Sequence, residues 1–322
     1  MAPTTQNKDT KNITLNNLIK SIQTIDELNL LLTNNTYYET LKSITCLTMP
    51  VCNDDTLTKI SNICTNLTEL TLHKTNITNI NPLKKLSSIR LLNLDETKIN
   101  DLSPIRNYKN LQTLYLWKTD ITNLNPLKNL NTLTKLAISG KNINDITPLK
   151  NLNSLQELYL WGTHIKSIDT LKTLINLEKL AIFRSQISDI NPLKNLINLN
   201  KLSLSGGKNF NDLNPLKTLL NLQVVYLSNT NIDTIDALRP LINLQVIFLS
   251  DTNISDISPL SSLTKLEVLH LFKTPITNID AVKNLKQLEI LDLRKTKVTD
   301  LSPINHLKNL KTLLKPKLKY IN

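Results

Sequence analysis

The sequence predicts an α/β solenoid in which a parallel β-sheet lines the concave face and short helical or 3₁₀ turns line the convex face. Three observations predict this fold: a 22-residue repeat, alternating apolar residues early in each copy, and a polar residue followed by proline later in it. The 322 residues provide enough chain for a long array. Aromatic residues make up only 4% of the chain, so its core must be aliphatic.

The repeat begins at Leu67 with LTELTLHKTNITNINPLKKLSS, and its copies continue to residue 309. Ten of the eleven copies have 22 residues, and the copy that begins at Leu199 has 23. Tandem copies of this length predict a stack in which each copy packs only against its neighbours. The later copies begin at Ile89, Leu111, Leu133, Leu155, Leu177, Leu199, Leu222, Leu244, Leu266 and Leu288.

Seven positions of the repeat, numbered 1, 4, 6, 11, 14, 17 and 20, are apolar in every copy. Positions 4 and 6 alternate with polar neighbours, which is the period of a short strand. Positions 17 and 20 lie three apart, which favours one helical or 3₁₀ turn. Stacked copies would bury these side chains in a continuous core, and each side chain would contribute roughly 1.5–3 kcal/mol.

Positions 15 and 16 indicate where the turn begins. Position 15 is Asn, Ser, Thr or Asp in every copy, and these residues favour helix N-caps. Position 16 is Pro in eight copies, as expected for the first helical residue, whose N–H would be unpaired anyway. We therefore expect the residue at position 15 to cap the turn that follows it.

The pattern LxxLxLxxTxI, followed by Asp or Asn, Ile, and then PLxxL, resembles the leucine-rich-repeat family. Its length resembles the internalin-type and protein-phosphatase-1-regulatory-subunit-type subclass of these repeats. The resemblance covers residues 67–309, extends to a degenerate repeat at 44–66, and implies a horseshoe-shaped solenoid. Position 9 is usually Asn in the family but is Thr in eight copies of this chain. Because a hydroxyl makes fewer hydrogen bonds than an amide, we expect a different loop geometry.

The chain divides into three predicted parts. Residues 1–12 are expected to be disordered, and residues 13–43 are expected to form a helical N-terminal cap, because their apolar residues have helical spacing. The solenoid would occupy residues 44–322 and hide its apolar ends behind the caps. It would consist of the degenerate first repeat 44–66, the eleven regular repeats 67–309, and a truncated C-terminal cap repeat 310–322.

Positions 3, 5 and 7 of each strand should point away from the core, because strand side chains alternate between the two faces. Eight of the chain's 13 Phe, Trp and Tyr residues fall on these positions, and both tryptophans are among them. Such residues are enriched in protein interfaces, so we predict a protein partner on the concave face. Stacking of the rings on each other is the alternative interpretation. The predicted partner-binding residues are Tyr115, Trp117, Tyr159, Trp161, Phe183, Tyr226, Phe248, His270 and Phe272.

The net charge of +12 raises the alternative of an acidic partner, either nucleic acid or a membrane surface. Position 18 is Lys or Arg in nine copies, which would place a basic row along the convex turns. Long side chains of this kind also cover apolar surface while their charges stay in water, so a solvated row is the other interpretation. The row consists of Lys84, Arg106, Lys128, Lys150, Lys172, Lys194, Lys217, Arg239 and Lys283.

Catalysis is not predicted, and neither a metal ligand nor a cofactor is expected. His73 with Asp95 and His270 with Asp292 occupy the same positions in adjacent copies, where a histidine–carboxylate pair could serve acid–base chemistry. Neither a nucleophile nor a phosphate loop accompanies them, so we expect plain hydrogen-bonded surface pairs. The sequence predicts a non-enzymatic, monomeric scaffold, with a structural component of a larger assembly as another alternative.

Three cysteines, Cys46, Cys52 and Cys64, form neither a disulfide framework nor a zinc motif, and we expect them to be reduced. The polar start of the chain lacks the apolar segment of a secretory signal. No apolar run reaches the length of a membrane span. We therefore predict an intracellular, cytoplasmic protein; for a viral source this would be the host cytoplasm or the virion.

Overall fold

The computed structural model describes residues 18–316 except residue 20. The segment 1–12, predicted to be disordered, lies outside the described residues, as do residues 13–17 and 317–322 of the two predicted caps. The chain forms two compact units, Met1–Leu155 and Gln156–Asn322, which we call the first and second unit.

The first unit begins with helices and continues into parallel strands. Leu70 of one strand aligns with Leu92 of the next, and Leu92 aligns with Leu114. The helices are α1 (Ile25–Thr33), α2 (Asn35–Ser43) and α3 (Asp54–Ile63). The strands are β1 (Cys46–Thr48), β2 (Glu69–Thr71), β3 (Leu91–Asn93), β4 (Thr113–Leu116) and β5 (Lys135–Ser139). The 3₁₀ turns are Asn81–Lys85, Ser103–Ile105, Asn125–Leu127 and Thr147–Leu149.

The second unit contains eight strands that pair in parallel with their sequence neighbours, for example Val225 beside Ile247 and Ile247 beside Leu269. They are β6 (Glu157–Trp161), β7 (Lys179–Phe183), β8 (Lys201–Ser203), β9 (Val224–Tyr226), β10 (Val246–Phe248), β11 (Val268–His270), β12 (Ile290–Asp292) and β13 (Thr312–Leu314). The 3₁₀ turns are Asp169–Thr173, Asn191–Asn195, Asn214–Thr218, Asp236–Leu238, Ser258–Leu260, Asp280–Asn284 and Ser302–Ile304.

The core consists of the repeated apolar positions. In the copy that begins at Leu222, all seven side chains from Leu222 to Leu241 at these positions are fully buried. Strands pack beside strands and turns beside turns of the neighbouring copies. The predicted fold class, stacked parallel strands alternating with 3₁₀ turns, is therefore confirmed in each unit.

The degenerate first repeat differs from the regular copies because it contains an α-helix, α3, where they have a 3₁₀ turn. Asn53 accepts a hydrogen bond from the N–H of Thr56, and the Thr56 hydroxyl accepts one from the N–H of Asn53, which together form a capping box. Leu57 and Ile60 of this helix are fully buried. The helices in the described part of the chain are too short or too polar to cross a lipid bilayer.

The expected N-cap at position 15 is wrong. The turns do begin there, but the side chains at position 13 cap them from two residues earlier. The Asp101 carboxylate accepts a hydrogen bond from the N–H of Ser103 at 2.8 Å, and Asp145 accepts one from the N–H of Thr147 at 2.8 Å. An Asx turn of this kind satisfies the first free N–H of the turn before the turn begins.

Position 8 has a left-handed backbone, which sequence reasoning missed. Eight non-glycine residues there have φ angles between 53° and 60°, a conformation that is costly for side chains with a Cβ. At position 9, the Thr75 hydroxyl donates to the carbonyl of Leu72 at 2.6 Å, and Thr230 donates to Leu227 at 2.7 Å. The threonine thus closes the left-handed turn within its own copy. The eight residues are Lys74, Glu96, Lys118, Arg184, Asn229, Asp251, Lys273 and Lys295.

Candidate functional site

The outward side of the strands, formed by positions 3, 5 and 7, is the candidate site, and we call it the strand face. All nine predicted partner-binding residues lie at positions 5 and 7 of their copies, and none is fully buried. Eight of them are half-buried, whereas Trp161 is exposed, with 37% of its surface accessible. The strand face therefore presents aromatic surface in both units.

In the first unit, the aromatic surface consists of Tyr115 and Trp117, and each ring has a cation nearby. The Nζ of Lys118 lies 4.0 Å from the ring centre of Trp117, and the Nζ of Lys135 lies 5.6 Å from that of Tyr115. Cations at these distances are attracted to the negative face of an aromatic ring. This part of the strand face is both aromatic and basic.

The predicted hydrogen-bonded pair of His73 and Asp95 is not formed. The Nδ1 of His73 is buried without a hydrogen-bond partner, and the Asp95 carboxylate accepts a hydrogen bond from the backbone N–H of Trp117 instead. Burial raises the pKa of Asp95, and the hydrogen bond from Trp117 opposes this shift. Asp95 therefore positions the backbone of an aromatic residue.

In the second unit, Tyr159, Trp161 and Phe183 form the group that we call the Trp161 cluster. The ring centres of Tyr159 and Trp161 are 5.7 Å apart with planes tilted by 52°, and Trp161 aligns with Phe183 on the next strand. The guanidinium of Arg184 lies 5.1 Å from the ring centre of Phe183. Tyr159 donates its hydroxyl to Glu157 at 3.1 Å, which restrains the tyrosine ring within the cluster.

Further along the second unit, Tyr226, Phe248 and His270 occupy position 5 of three consecutive copies and form the group that we call the ring ladder. The ring centres of Tyr226 and Phe248 are 4.9 Å apart, and those of Phe248 and His270 are 4.1 Å apart with nearly parallel planes. The alternative interpretation, rings stacked on each other, thus describes this part of the strand face.

The ring ladder ends in an ion pair. The Nδ1 of His270 lies 3.5 Å from the buried carboxylate of Asp292, and Arg294 donates two hydrogen bonds to that carboxylate at 2.9 and 2.7 Å. Burial alone would raise the pKa of Asp292, but the hydrogen bonds and charge of Arg294 lower it. The expected pair of His270 and Asp292 is a close polar contact, and its carboxylate is buried on the strand face rather than exposed at the surface.

Sequence reasoning missed the cations of the strand face. Lys201 lies 5.4 Å from the ring centre of Tyr226, while Arg294 and Lys295 lie 5.5 and 5.1 Å from that of Phe272. Several of these cations stand at position 8, so their recurrence beside position 7 was visible in the sequence. The basic row at position 18 is a different surface, and all nine of its residues are exposed on or next to the 3₁₀ turns.

Among residues 18–316 without residue 20, there is no group of three or more His, Cys, Asp or Glu side chains arranged to hold a metal ion. Cys52 and Cys64 are buried and have free thiols. Burial raises the pKa of the Cys52 thiol to about 11 and that of Cys64 to about 12. These two thiols therefore stay protonated at neutral pH.

Comparison with known proteins gives matches to repeat proteins. A family model described as Leucine Rich repeats (2 copies) matches residues 153–195 and 242–284. A search of curated proteins found no match.

Among solved structures, an internalin, InlF, from Listeria monocytogenes has a TM-score of 0.77 at 26% identity, over 89% of this chain and 92% of that chain. The functional domain of InlJ from Listeria monocytogenes has a TM-score of 0.70 at 21% identity, over 86% of this chain and 64% of that one. The ectodomain of the Arabidopsis thaliana receptor kinase GASSHO1/SCHENGEN3, in complex with CASPARIAN STRIP INTEGRITY FACTOR 2, has a TM-score of 0.62 at 20% identity. That match covers 80% of this chain and 33% of that one.

Proposed function

Because this chain is a leucine-rich-repeat protein, we propose that it is a non-enzymatic scaffold that binds a protein partner on its strand face, the concave face of the solenoid. Leucine-rich repeats generally mediate interactions between proteins, and the Arabidopsis receptor ectodomain was solved with a bound partner. The likeness to that ectodomain is one of fold, so the identity of its partner does not transfer to this chain.

The exposure of Trp161 is the observation that carries the proposal. A tryptophan with 37% of its surface accessible, beside Tyr159 and Phe183, has the composition of an interface hot spot. A strand face exposed only to water would have polar residues at these positions, because burial of aromatic surface away from water is energetically favourable. A partner that covers the cluster would supply that burial.

The cations beside the rings support a partner with acidic groups. Lys118 and Lys135 in the first unit, and Arg184 and Lys201 in the second, lie between 4.0 and 5.6 Å from aromatic ring centres on the strand face. An acidic group on the partner would pair with them and raise the association rate by electrostatic attraction. Such complementarity would set specificity more than affinity.

A capture experiment with matched variants tests this function. Wild type, Trp161→Ala/Phe183→Ala, and the control Tyr38→Ala, which removes a 43% exposed ring from α2, would each be used to capture partners. We expect wild type and control to capture the same partner, and the double variant to lose it while remaining folded, with a thermal midpoint only a few degrees lower, on the order of the shift that 1 kcal/mol causes. An equal yield with all three proteins would refute binding on the Trp161 cluster.

The exposed basic row supports the second candidate function, binding of nucleic acid or an anionic membrane surface. Its test is reversal of three charges, Lys172→Glu, Lys194→Glu and Lys217→Glu, in one variant. If the row binds phosphates, wild type binds duplex DNA or anionic vesicles with an affinity that falls steeply with salt, and the variant does not. Salt-independent or absent binding by wild type excludes this function.

The remaining proposals concern organisation and location. We retain the division into a disordered N-terminus (1–12), a helical cap (13–43) and a solenoid (44–322), together with a monomeric state. The free thiols of Cys52 and Cys64 favour an intracellular location, where thiols stay reduced. Limited proteolysis would test the division, and analytical ultracentrifugation would test the monomeric state.

A further inference from the structure

A second exposed apolar surface lies in the second unit, away from the strand face. It comprises Ile175, Ile197, Leu220 and Ile242, which occupy position 21 of four consecutive copies, and we call it the apolar row. Each of these side chains has between 53% and 56% of its surface accessible. They are the large aliphatic residues with the highest exposure in the second unit, as far as the structure describes it.

The apolar row is specific to these four copies. The other seven copies have Ser, Lys, Asn or Thr at position 21, as expected for a residue in water. The stack therefore tolerates polar residues at this position, and packing within the fold does not require aliphatic ones. The polar residues are Ser87, Lys109, Asn131, Asn153, Thr264, Lys286 and Lys308.

Hydrogen bonds between copies hold the row at a regular spacing. The side-chain amide of Asn198 donates to the carbonyl of Ile175 at 2.9 Å, and that of Asn221 donates to the carbonyl of Ile197 at 2.9 Å. Asn243 repeats the contact with the carbonyl of Leu220 at 3.0 Å. Because these bonds join neighbouring copies, residues of the row lie about 5 Å apart, close to the spacing of the strands.

The row is flanked by cations. Three residues before each member, at position 18, stand Lys172, Lys194, Lys217 and Arg239, all of which are exposed. Three residues of chain span at most about 11 Å, so each cation can reach a ligand that covers the row. Arg239 also pairs with Asp236 at 3.2 Å. The surface therefore combines a line of aliphatic side chains with a parallel line of positive charge.

We propose that the apolar row binds an amphipathic α-helix of a partner, with aliphatic residues on the face that meets the row and Glu or Asp along the flank that meets the cations. An α-helix presents one apolar side chain per turn, about every 5.4 Å, which matches the spacing of the row. Four positions span about 15 Å, which corresponds to roughly ten helical residues. The helix would lie along the row and cross all four copies.

The charge of the surface favours an acidic helix over a second copy of this chain as the molecule that covers the apolar row. The chain has a net charge of +12, and two copies that met at their basic flanks would repel each other. An acidic helix gains both from burial of the aliphatic side chains and from neutralisation of the cations. The proposal is independent of the strand face, so either surface can bind without the other.

A peptide titration tests the proposal. The probes are two fluorescein-labelled peptides with the same leucine stripe, one flanked by Glu and the other by Lys. Each has a length of about 18 residues, beyond the length at which isolated helices are marginal. The proteins are wild type, Ile197→Asn/Leu220→Asn, and the control Thr264→Asn, which places the same residue at position 21 of another copy. Asn already occupies position 21 at Asn131 and Asn153, so the substitutions suit the turn.

We expect wild type and the Thr264→Asn control to bind the acidic peptide at least about tenfold more tightly than the double variant does. Wild type should also prefer the acidic peptide to the basic one, and Lys194→Glu/Lys217→Glu should reverse that preference. Equal affinities of wild type and the double variant, or no binding of the acidic peptide, would overturn the proposal.

Two further measurements test whether a membrane surface or a second copy of the chain covers the apolar row instead of a helix. Binding of wild type, and not of the double variant, to phosphatidylserine vesicles without binding of the peptide would overturn the helix in favour of a membrane surface. Sedimentation that shows dimers of wild type and monomers of the double variant would overturn it in favour of a second copy.

Discussion

The Trp161 cluster and the ring ladder both lie on the outward side of the strands in the second unit, but neighbouring side chains cover their rings to different extents. In the ring ladder, three consecutive copies have a ring at position 5, so Phe248 is covered on both sides, by Tyr226 and His270. In the cluster, Trp161 aligns with Phe183 on the next strand and still has 37% of its surface accessible, while Tyr159 aligns with the small Ala181.

This difference teaches that an aromatic residue on a strand does not by itself indicate an interface. A ring that is stacked on both sides by rings of the neighbouring copies is covered within the fold, whereas a ring that keeps a large accessible fraction offers surface that a partner can cover. Trp161, at 37% accessible, has kept such surface. We therefore expect substitutions in the ring ladder to change stability, and substitutions in the Trp161 cluster to change binding.

The largest expected effect is on affinity. Trp161→Ala should weaken binding of the captured partner by at least about 2 kcal/mol, or roughly 30-fold, because a central tryptophan contributes strongly to an interface. Phe248→Ala should weaken it by less than about 1 kcal/mol, because its neighbours already cover its ring. Isothermal titration of both variants measures the difference. A larger loss with Phe248→Ala would invert the comparison.

The next effect is on stability. Phe248→Ala should lower the free energy of unfolding by about 2 kcal/mol, because it removes two ring contacts and leaves a gap between Tyr226 and His270. Trp161→Ala should lower it by less than about 1 kcal/mol, because an exposed ring leaves no cavity. Urea titrations followed by circular dichroism provide both values. Equal losses would show that the Trp161 cluster is as much a structural feature as the ring ladder.

A smaller effect is expected beside Trp161. Gly162 has a φ of 61°, and other copies have Lys at this position. Gly162→Lys should destabilise the protein by about 1 kcal/mol because of the left-handed backbone, and it should place a cation by Trp161 as Lys118 lies by Trp117. Thermal unfolding measures the cost. A stability gain would show that the left-handed turn imposes no penalty on a side chain.

The smallest effect is a pH dependence at the end of the ring ladder. The pKa of Asp292 is lowered in the folded protein, so the folded state favours the charged carboxylate. This stability is present above the unfolded pKa of about 3.9 and is lost as pH falls through the lower folded pKa. Asp292→Asn should therefore flatten the loss of stability below about pH 4. Urea midpoints at pH 7 and pH 3 would test this, and parallel losses in both proteins would contradict it.

Most of the fold could be predicted because the repeat length and the seven apolar positions can be read directly from the sequence. The capping residue could not, because Asp101 and Ser103 are both good caps and only the geometry of a 3₁₀ turn chooses the earlier one. The left-handed residue at position 8 was indicated only by Gly140, Gly162 and Gly206, because the other copies have non-glycine residues such as Lys74 and Lys118 there.

The candidate site was predicted in part. The alternation of strand side chains predicts which residues face outward, and Trp161 and Phe183 lie where it places them. Exposure depends on the neighbours in the next copies, so the sequence pattern alone did not separate Phe248 from Trp161. The apolar row was visible as Ile197 and Leu220 at a position otherwise polar, but it lies outside the strand, where no alternation draws attention to it.

The threonine at position 9 has a consequence for how such a chain can grow. Thr230 and Thr252 each bond to a carbonyl three residues earlier, so the hydroxyl finds its acceptor inside the same copy. Insertion or loss of a copy with such a threonine therefore leaves the hydrogen bond of its hydroxyl intact at the junction. A gene segment that encodes one or two whole copies can be duplicated or deleted in register, and the length of the array can change without redesign of its turns.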